Sequence, residues 1–254
     1  ILIGLLFFFS MRNIIPFLIC LLLTSSFAYA KKINIPEISD NDIFVYYNKN
    51  AKVNFIGFVG GDGLKGNASK SQNPLARSGK DFRDSDSNYY VFPNPIKKKP
   101  IGDRKNKDHM SRISILIDHI KKENNLPIVL LGHSRGSISV AAAANTLEKG
   151  KISGIVILGS ITASHGKHTP YQLTMQHMLK ETKIPVLVVH HEKDSCSVTP
   201  YVGAKNLAKK NNYKLITISG GGTSGDQCGP LHYHGFEGTT DQVINSIQDW
   251  IKSL

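Results

Sequence analysis

A chain of 254 residues, 41% of them hydrophobic, is long enough for a full core and too apolar to be disordered. Lys and Arg number 31 against 19 Asp and Glu, a formal charge of +12. The lysines fall in scattered runs (Lys97-Lys98-Lys99, Lys121-Lys122, Lys209-Lys210) without interleaved stacking aromatics, which argues against a nucleic-acid partner and for a solvated basic surface.

Residues 1–30 read as a targeting leader rather than as part of the fold. Met11-Arg12 opens a short positive region, Ile14 to Leu23 is apolar, and Ala28-Tyr29-Ala30 is a small-x-small cleavage site. Residues 1–10 precede the first plausible start methionine and read as upstream translated sequence. Were they retained, Ile1 to Leu23 would be long enough to span a bilayer as an anchor. Cys20 follows Leu18-Ile19, which is not a lipidation signal. The expectation is an exported protein, periplasmic or secreted, with cleavage before Lys31, membrane contact only through the transient leader, and a single domain over residues 31–254.

From there the chain alternates β-rich runs with helical patterns, as a mostly parallel sheet covered by helices on both faces requires. Strands are expected at Ile43–Tyr47, Val53–Val59, Tyr89–Phe92, Ile128–Leu131, Ile155–Leu158, Val186–His190 and Lys214–Ile218. The runs at 128–131 and 186–189 are continuously apolar, the mark of strands buried on both sides. The polar stretch from Gly60 to Asn88 has no clean period and reads as a long loop with a short helix. His109 to Lys122 carries Ile113, Leu116, Ile117 and Ile120 at helical spacing. A second helix is expected from Ser137 to Lys149, ending near Gly150, and a third from Thr239 to Leu254, capped by Thr239 or Thr240.

The chemistry is concentrated where the fourth strand gives way to the second helix, at Gly132-His133-Ser134-Arg135-Gly136. A serine at a sharp strand-turn-helix junction projects its hydroxyl clear of the sheet, and flanking glycines relieve the crowding of that turn. The hydroxyl needs a base, and the base needs an orienting acid. In the order Ser, acid, His, the acid is expected at Asp194, just past the strand ending at His190, with Glu192 as the competitor. The base is expected at His234, in His234-Gly235-Phe236, with His232 as runner-up. His190 and His191 read as strand-end residues, and His109 as a helix-start residue. The negative charge of an acyl-transfer transition state needs two backbone N–H donors. Arg135 should supply one, and Gly61 or Asp62 the other.

With Cys20 in the leader, Cys196 and Cys228 remain as an even pair in an oxidising compartment. A disulfide between them would tie the acid loop to the base loop. Zinc or thiol-redox use fits poorly, since there is no C-x-x-C, and no metal site is expected. Gly61-Asp62-Gly63-Leu64-Lys65-Gly66 satisfies G-x-G-x-x-G, but the residues after Gly66 open no apolar-periodic helix, so a dinucleotide site is not expected.

Several stretches are together similar to a group of exported bacterial α/β-hydrolases. They are Gly60-Gly61-Asp62-Gly63, Asn73 to Gly79, Gly132 to Ser137, Asp194 with Cys196, and Cys228 to Phe236. The resemblance covers nearly all of residues 31–254. It implies the α/β-hydrolase fold, a Ser134–Asp194–His234 triad, His234 rather than His232 as base, and no cofactor. One departure is that Val59, not histidine, precedes the glycines. The expected activity is hydrolysis of a carboxylic ester or related acyl bond in a small molecule. The short Gly159–Lys183 segment suggests a minimal lid and substrates of modest size.

Overall fold

A computed structural model describes residues 30–95 and 104–254. The expected leader and the Lys97-Lys98-Lys99 run lie outside the described residues. Among the described residues, no helix is long and apolar enough to cross a membrane.

Eight strands form one sheet: β1 (Lys31–Ile33), β2 (Ile43–Tyr46), β3 (Val53–Phe58), β4 (Ser87–Val91), β5 (Ile128–His133), β6 (Gly154–Leu158), β7 (Val186–His191) and β8 (Lys214–Ile218). Their order is β1-β2-β4-β3-β5-β6-β7-β8. Only the β1–β2 and β2–β4 pairings are antiparallel; β4 through β8 run parallel. Every residue of β5, β6 and β7 is buried, because successive side chains enter two different cores. Leu130, Ile155, Ile157 and Val188 join one core with Ile113, Leu116, Ala141 and Leu207. Val129, Leu131, Val156 and Leu187 join the other with Leu75, Phe82, Ile247 and Trp250.

The covering helices are α1 (Pro74–Arg77), α2 (Gly79–Asp84), α3 (Lys107–Glu123), α4 (Gly136–Thr146), α5 (Met175–Met178), α6 (Tyr201–Asn211) and α7 (Thr240–Ile251). Several differ from the sequence reading. The 60–88 stretch holds two α-helices and a 3-10 turn instead of one short helix, and its start signals are local. Asn73 caps α1 by accepting from the Leu75 N–H, with Pro74 as the first helical residue. Helix α4 ends at Thr146, three residues before the expected Lys149, because Leu147 turns extended; Gly150 sits in the following turn at φ +83°. Thr239 flanks α7 but makes no side-chain cap, its hydroxyl instead donating to the Phe236 carbonyl at 3.2 Å.

The segment between β6 and β7 contains short 3-10 turns and the four-residue α5, not a lid domain. The turns following β3, β5, β7 and β8 all emerge at the C-terminal edge of the parallel strands, the edge where such sheets bind ligands.

Candidate active site

β5 runs to His133, and α4 begins at Gly136, which leaves Ser134 in a two-residue turn. Ser134 has φ +52°, a conformation that costs an L-residue about 1–3 kcal/mol and persists only where surroundings enforce it. The enforcement is visible: the Ser134 N–H donates to the Leu158 carbonyl at 2.9 Å, and its own carbonyl accepts from Ser137 Oγ at 2.6 Å. The flanking glycines answer a steric need. A Cβ on Gly132 would lie 2.6 Å from the Gly136 carbonyl oxygen, and one on Gly136 would collide with the Phe58 carbonyl. Ser134 is half-buried, and its Oγ makes no hydrogen bond to a described residue.

Asp194 follows the turn after β7 and is buried. Its Oδ1 accepts the Cys196 N–H at 3.0 Å. Its Oδ2 accepts from His234 Nδ1 at 2.9 Å and Thr199 Oγ1 at 3.0 Å, with His190 Nε2 at 3.2 Å. Burial alone would raise the pKa of this carboxyl. The hydrogen bonds from His190 and His234 outweigh it and hold the group well below the usual carboxylate range. Because the carboxylate only accepts, His234 Nδ1 carries the proton in this pair, which leaves Nε2 as the basic nitrogen.

His234 is 1% exposed, in a 3-10 turn at Tyr233–Gly235. His133, the residue before the serine, donates from Nε2 to the His234 carbonyl at 2.9 Å, and the two rings lie 4.8 Å apart. Burial, and then the nearby His234, lower the pKa of His133 to about 3, so it serves as a neutral donor. Arg77 braces the same turn from the other side, donating to the Pro230 and Gly235 carbonyls at 2.8 and 2.7 Å. Gly159, just after β6, has φ +46°, a conformation that favours glycine, and a Cβ there would sit 3.2 Å from the His234 carbonyl oxygen.

The sequence candidates separate cleanly. Asp194 and His234 are hydrogen-bonded to each other, at the sheet edge that carries Ser134. Glu192 is exposed, and the Nδ1 of His232 is buried without a partner. His191 bonds the Gly220 carbonyl, and His109 bonds Ser139 inside the core. Cys196 and Cys228 are disulfide-bonded, their Cα atoms 4.7 Å apart, joining the loop after β7 to the loop before the base.

Gly60 lies against the nucleophile; a Cβ there would be 2.9 Å from Ser134 Cβ. The next residues, Gly61, Asp62 and Gly63, line an open cleft of about 610 Å³ with Lys65, Asn67 and Lys70. A larger cavity, about 1030 Å³, runs along the C-terminal end of α4 and touches none of the residues discussed so far in this site. Among the described residues there is no group of three His, Cys, Asp or Glu side chains able to hold a metal ion.

Sequence reasoning missed Thr199, whose hydroxyl contacts both Asp194 and His234, at 3.0 Å each. It also assigned no task to His133 or Arg77. For His190 a signal existed, since it precedes the acid by four residues at the end of a buried strand; for Thr199 there was none.

No protein-family model matches the chain, and no curated protein matches it in sequence. Solved structures do resemble it. An α/β serine hydrolase without a lid from Xanthomonas campestris superposes with a TM-score of 0.60 at 11% identity, over 89% of this chain and 94% of that one. A lipase-esterase related protein from Clostridium acetobutylicum gives 0.57 at 11% identity, over 82% and 98%. An esterase from Exiguobacterium antarcticum gives 0.54 at 12%, over 83% and 96%. At such identities the likeness establishes the fold, which is the α/β-hydrolase fold with a minimal lid.

Proposed function

We propose that the protein is a serine hydrolase that cleaves a carboxylic ester of modest size through an acyl-serine intermediate. The observation that carries this reading is the 2.9 Å hydrogen bond between Asp194 and His234, at the same sheet edge as a serine held at φ +52°. Ser134 Oγ attacks the ester carbonyl as His234 Nε2 takes its proton, and Asp194 stabilises the imidazolium. The tetrahedral oxyanion is met by the Arg135 N–H and by an N–H of the Gly61–Asp62 turn. His234 returns the proton to the departing alcohol. It then deprotonates a water that attacks the acyl-serine, releasing the acid and restoring Ser134. The Ser134–His234 bond forms on substrate binding, as catalytic hydrogen bonds are often long or unmade in unliganded sites.

A fluorophosphonate probe tests the assignment. Wild-type protein should be labelled and should hydrolyse a p-nitrophenyl ester of a short acid, and Ser134→Ala should do neither. Labelling that survives in Ser134→Ala, or is absent from the wild type, refutes the nucleophile.

A further inference from the structure

Arg104 is used by none of these steps, yet it is the most heavily buried guanidinium near Ser134, at 3% exposure. It stands just before α3. Nη1 donates to Ser139 Oγ on α4 at 3.1 Å, and Nη2 donates to the carbonyls of Val59 at 3.0 Å and Gly61 at 3.1 Å. Nε has no partner, and no carboxylate pairs with the group among the described residues. Burial, then repulsion from Arg135, lower its pKa to about 10, so it remains charged at neutral pH. A buried cation whose hydrogen bonds go to two carbonyls and one hydroxyl is a costly way to fill space, and an apolar side chain would fill it more cheaply.

What the guanidinium does fix is the turn beside the nucleophile. The Gly63 N–H bonds the Gly60 carbonyl at 2.9 Å, Gly61 has φ +53°, and Asp62 is not among the left-handed residues. That is the arrangement of a type II′ turn. Its mirror-class relative, type I′, differs in the direction of the central peptide unit, here Gly61–Asp62. In a trans peptide the C=O and N–H point opposite ways, and the described chain has no cis bonds. Holding the Gly61 carbonyl against the buried Arg104 therefore turns the Asp62 N–H away from the guanidinium, in a turn whose residues line the open cleft. The Gly61 N–H belongs to a different peptide unit, whose carbonyl is already engaged by Gly63.

We propose that Arg104 is a positioning residue that locks the Gly61–Asp62 peptide plane, making the Asp62 N–H the second oxyanion donor. The assignment rests on the serine-hydrolase reading. Substrate binds without the oxyanion, so the loss belongs in kcat. Arg104→Met should lower kcat between about ten- and a hundred-fold, short of the hundred- to thousand-fold that follows complete loss of one donor. KM should stay within about three-fold. Inhibition by a trifluoromethyl ketone, whose serine adduct carries the same oxyanion, should weaken by the same factor as kcat. Arg104→Ala should regain part of its kcat when methylguanidinium is added.

Thermal unfolding of each variant identifies those that fold. If Arg104→Met does not, Arg104→Lys keeps the charge but cannot span both carbonyls and Ser139, and the same split in kcat is expected. A folded variant with wild-type kcat, or with its loss confined to KM, overturns the proposal. Wild-type protein that neither hydrolyses an ester nor takes the fluorophosphonate overturns the underlying reading instead, a result visible without any Arg104 variant.

Discussion

Oδ2 of Asp194 is met by two side-chain donors, His234 and Thr199, while His190 Nε2 lies 3.2 Å away and bonds the Thr199 carbonyl at 2.8 Å. One carboxylate oxygen so heavily satisfied cannot rotate away from the imidazole, and its charge is spread over groups that share its burial. Thr199→Val keeps the shape and deletes one donor. It should destabilise the fold by about 1.5–3 kcal/mol, the range for a hydrogen bond to a charged group, and lower kcat as the Asp194–His234 pair loosens. Urea unfolding beside steady-state kinetics measures both; unchanged stability in a folded variant would remove Thr199 from the relay. Asp194 and His234 were legible in the sequence because chain order and strand ends place them at the sheet edge. Thr199 was not, since its contact depends on the loop after β7 folding back over the acid, a tertiary event that leaves no period or motif.

The strands were legible for a plain reason. Two covered faces make β5, β6 and β7 apolar throughout, and such runs are hard to mistake. Helix α6 escaped because its buried stripe is only Ala204, Leu207 and Ala208, diluted by three lysines, two asparagines, a glycine and an exposed Val202. That helix and β8 lie inside the 32-residue span between Cys196 and Cys228. Closing a span of that length contributes about 3–4 kcal/mol through the unfolded chain. Reduction with a phosphine should therefore lower the melting temperature by roughly 10 °C, and a scan with and without reductant reads it directly. No shift on complete reduction would mean that packing alone fixes the two loops.

Two buried histidines set how the whole molecule responds to acid. Burial, with Arg112 and Arg104 nearby, lowers the pKa of His109 to about 3, and His133 is lowered to about 3 as well. Unfolded histidines bind protons near pH 6.5. Between about pH 6.5 and 3 the unfolded chain therefore holds protons that the fold excludes, and stability must fall as pH falls. Each histidine contributes a slope of up to about 1.4 kcal/mol per pH unit. Asp194, lowered for a carboxyl, acts in the same direction but only in stronger acid. Urea midpoints at pH 7, 6, 5 and 4 should drop steadily, and His109→Asn should flatten the curve; a level profile would contradict neutral burial.

The Cys196–Cys228 bond also changes what kind of object the chain is. With it, residues 196–228 form a covalent ring, and the exposed glycine-rich stretch from Gly220 to Gly225 is one arc of that ring. A protease that cuts this arc opens the ring without dividing the molecule. The fragment carrying His234 stays tethered beside the one carrying Ser134 and Asp194, so this exposed loop is one whose scission does not separate the site's parts.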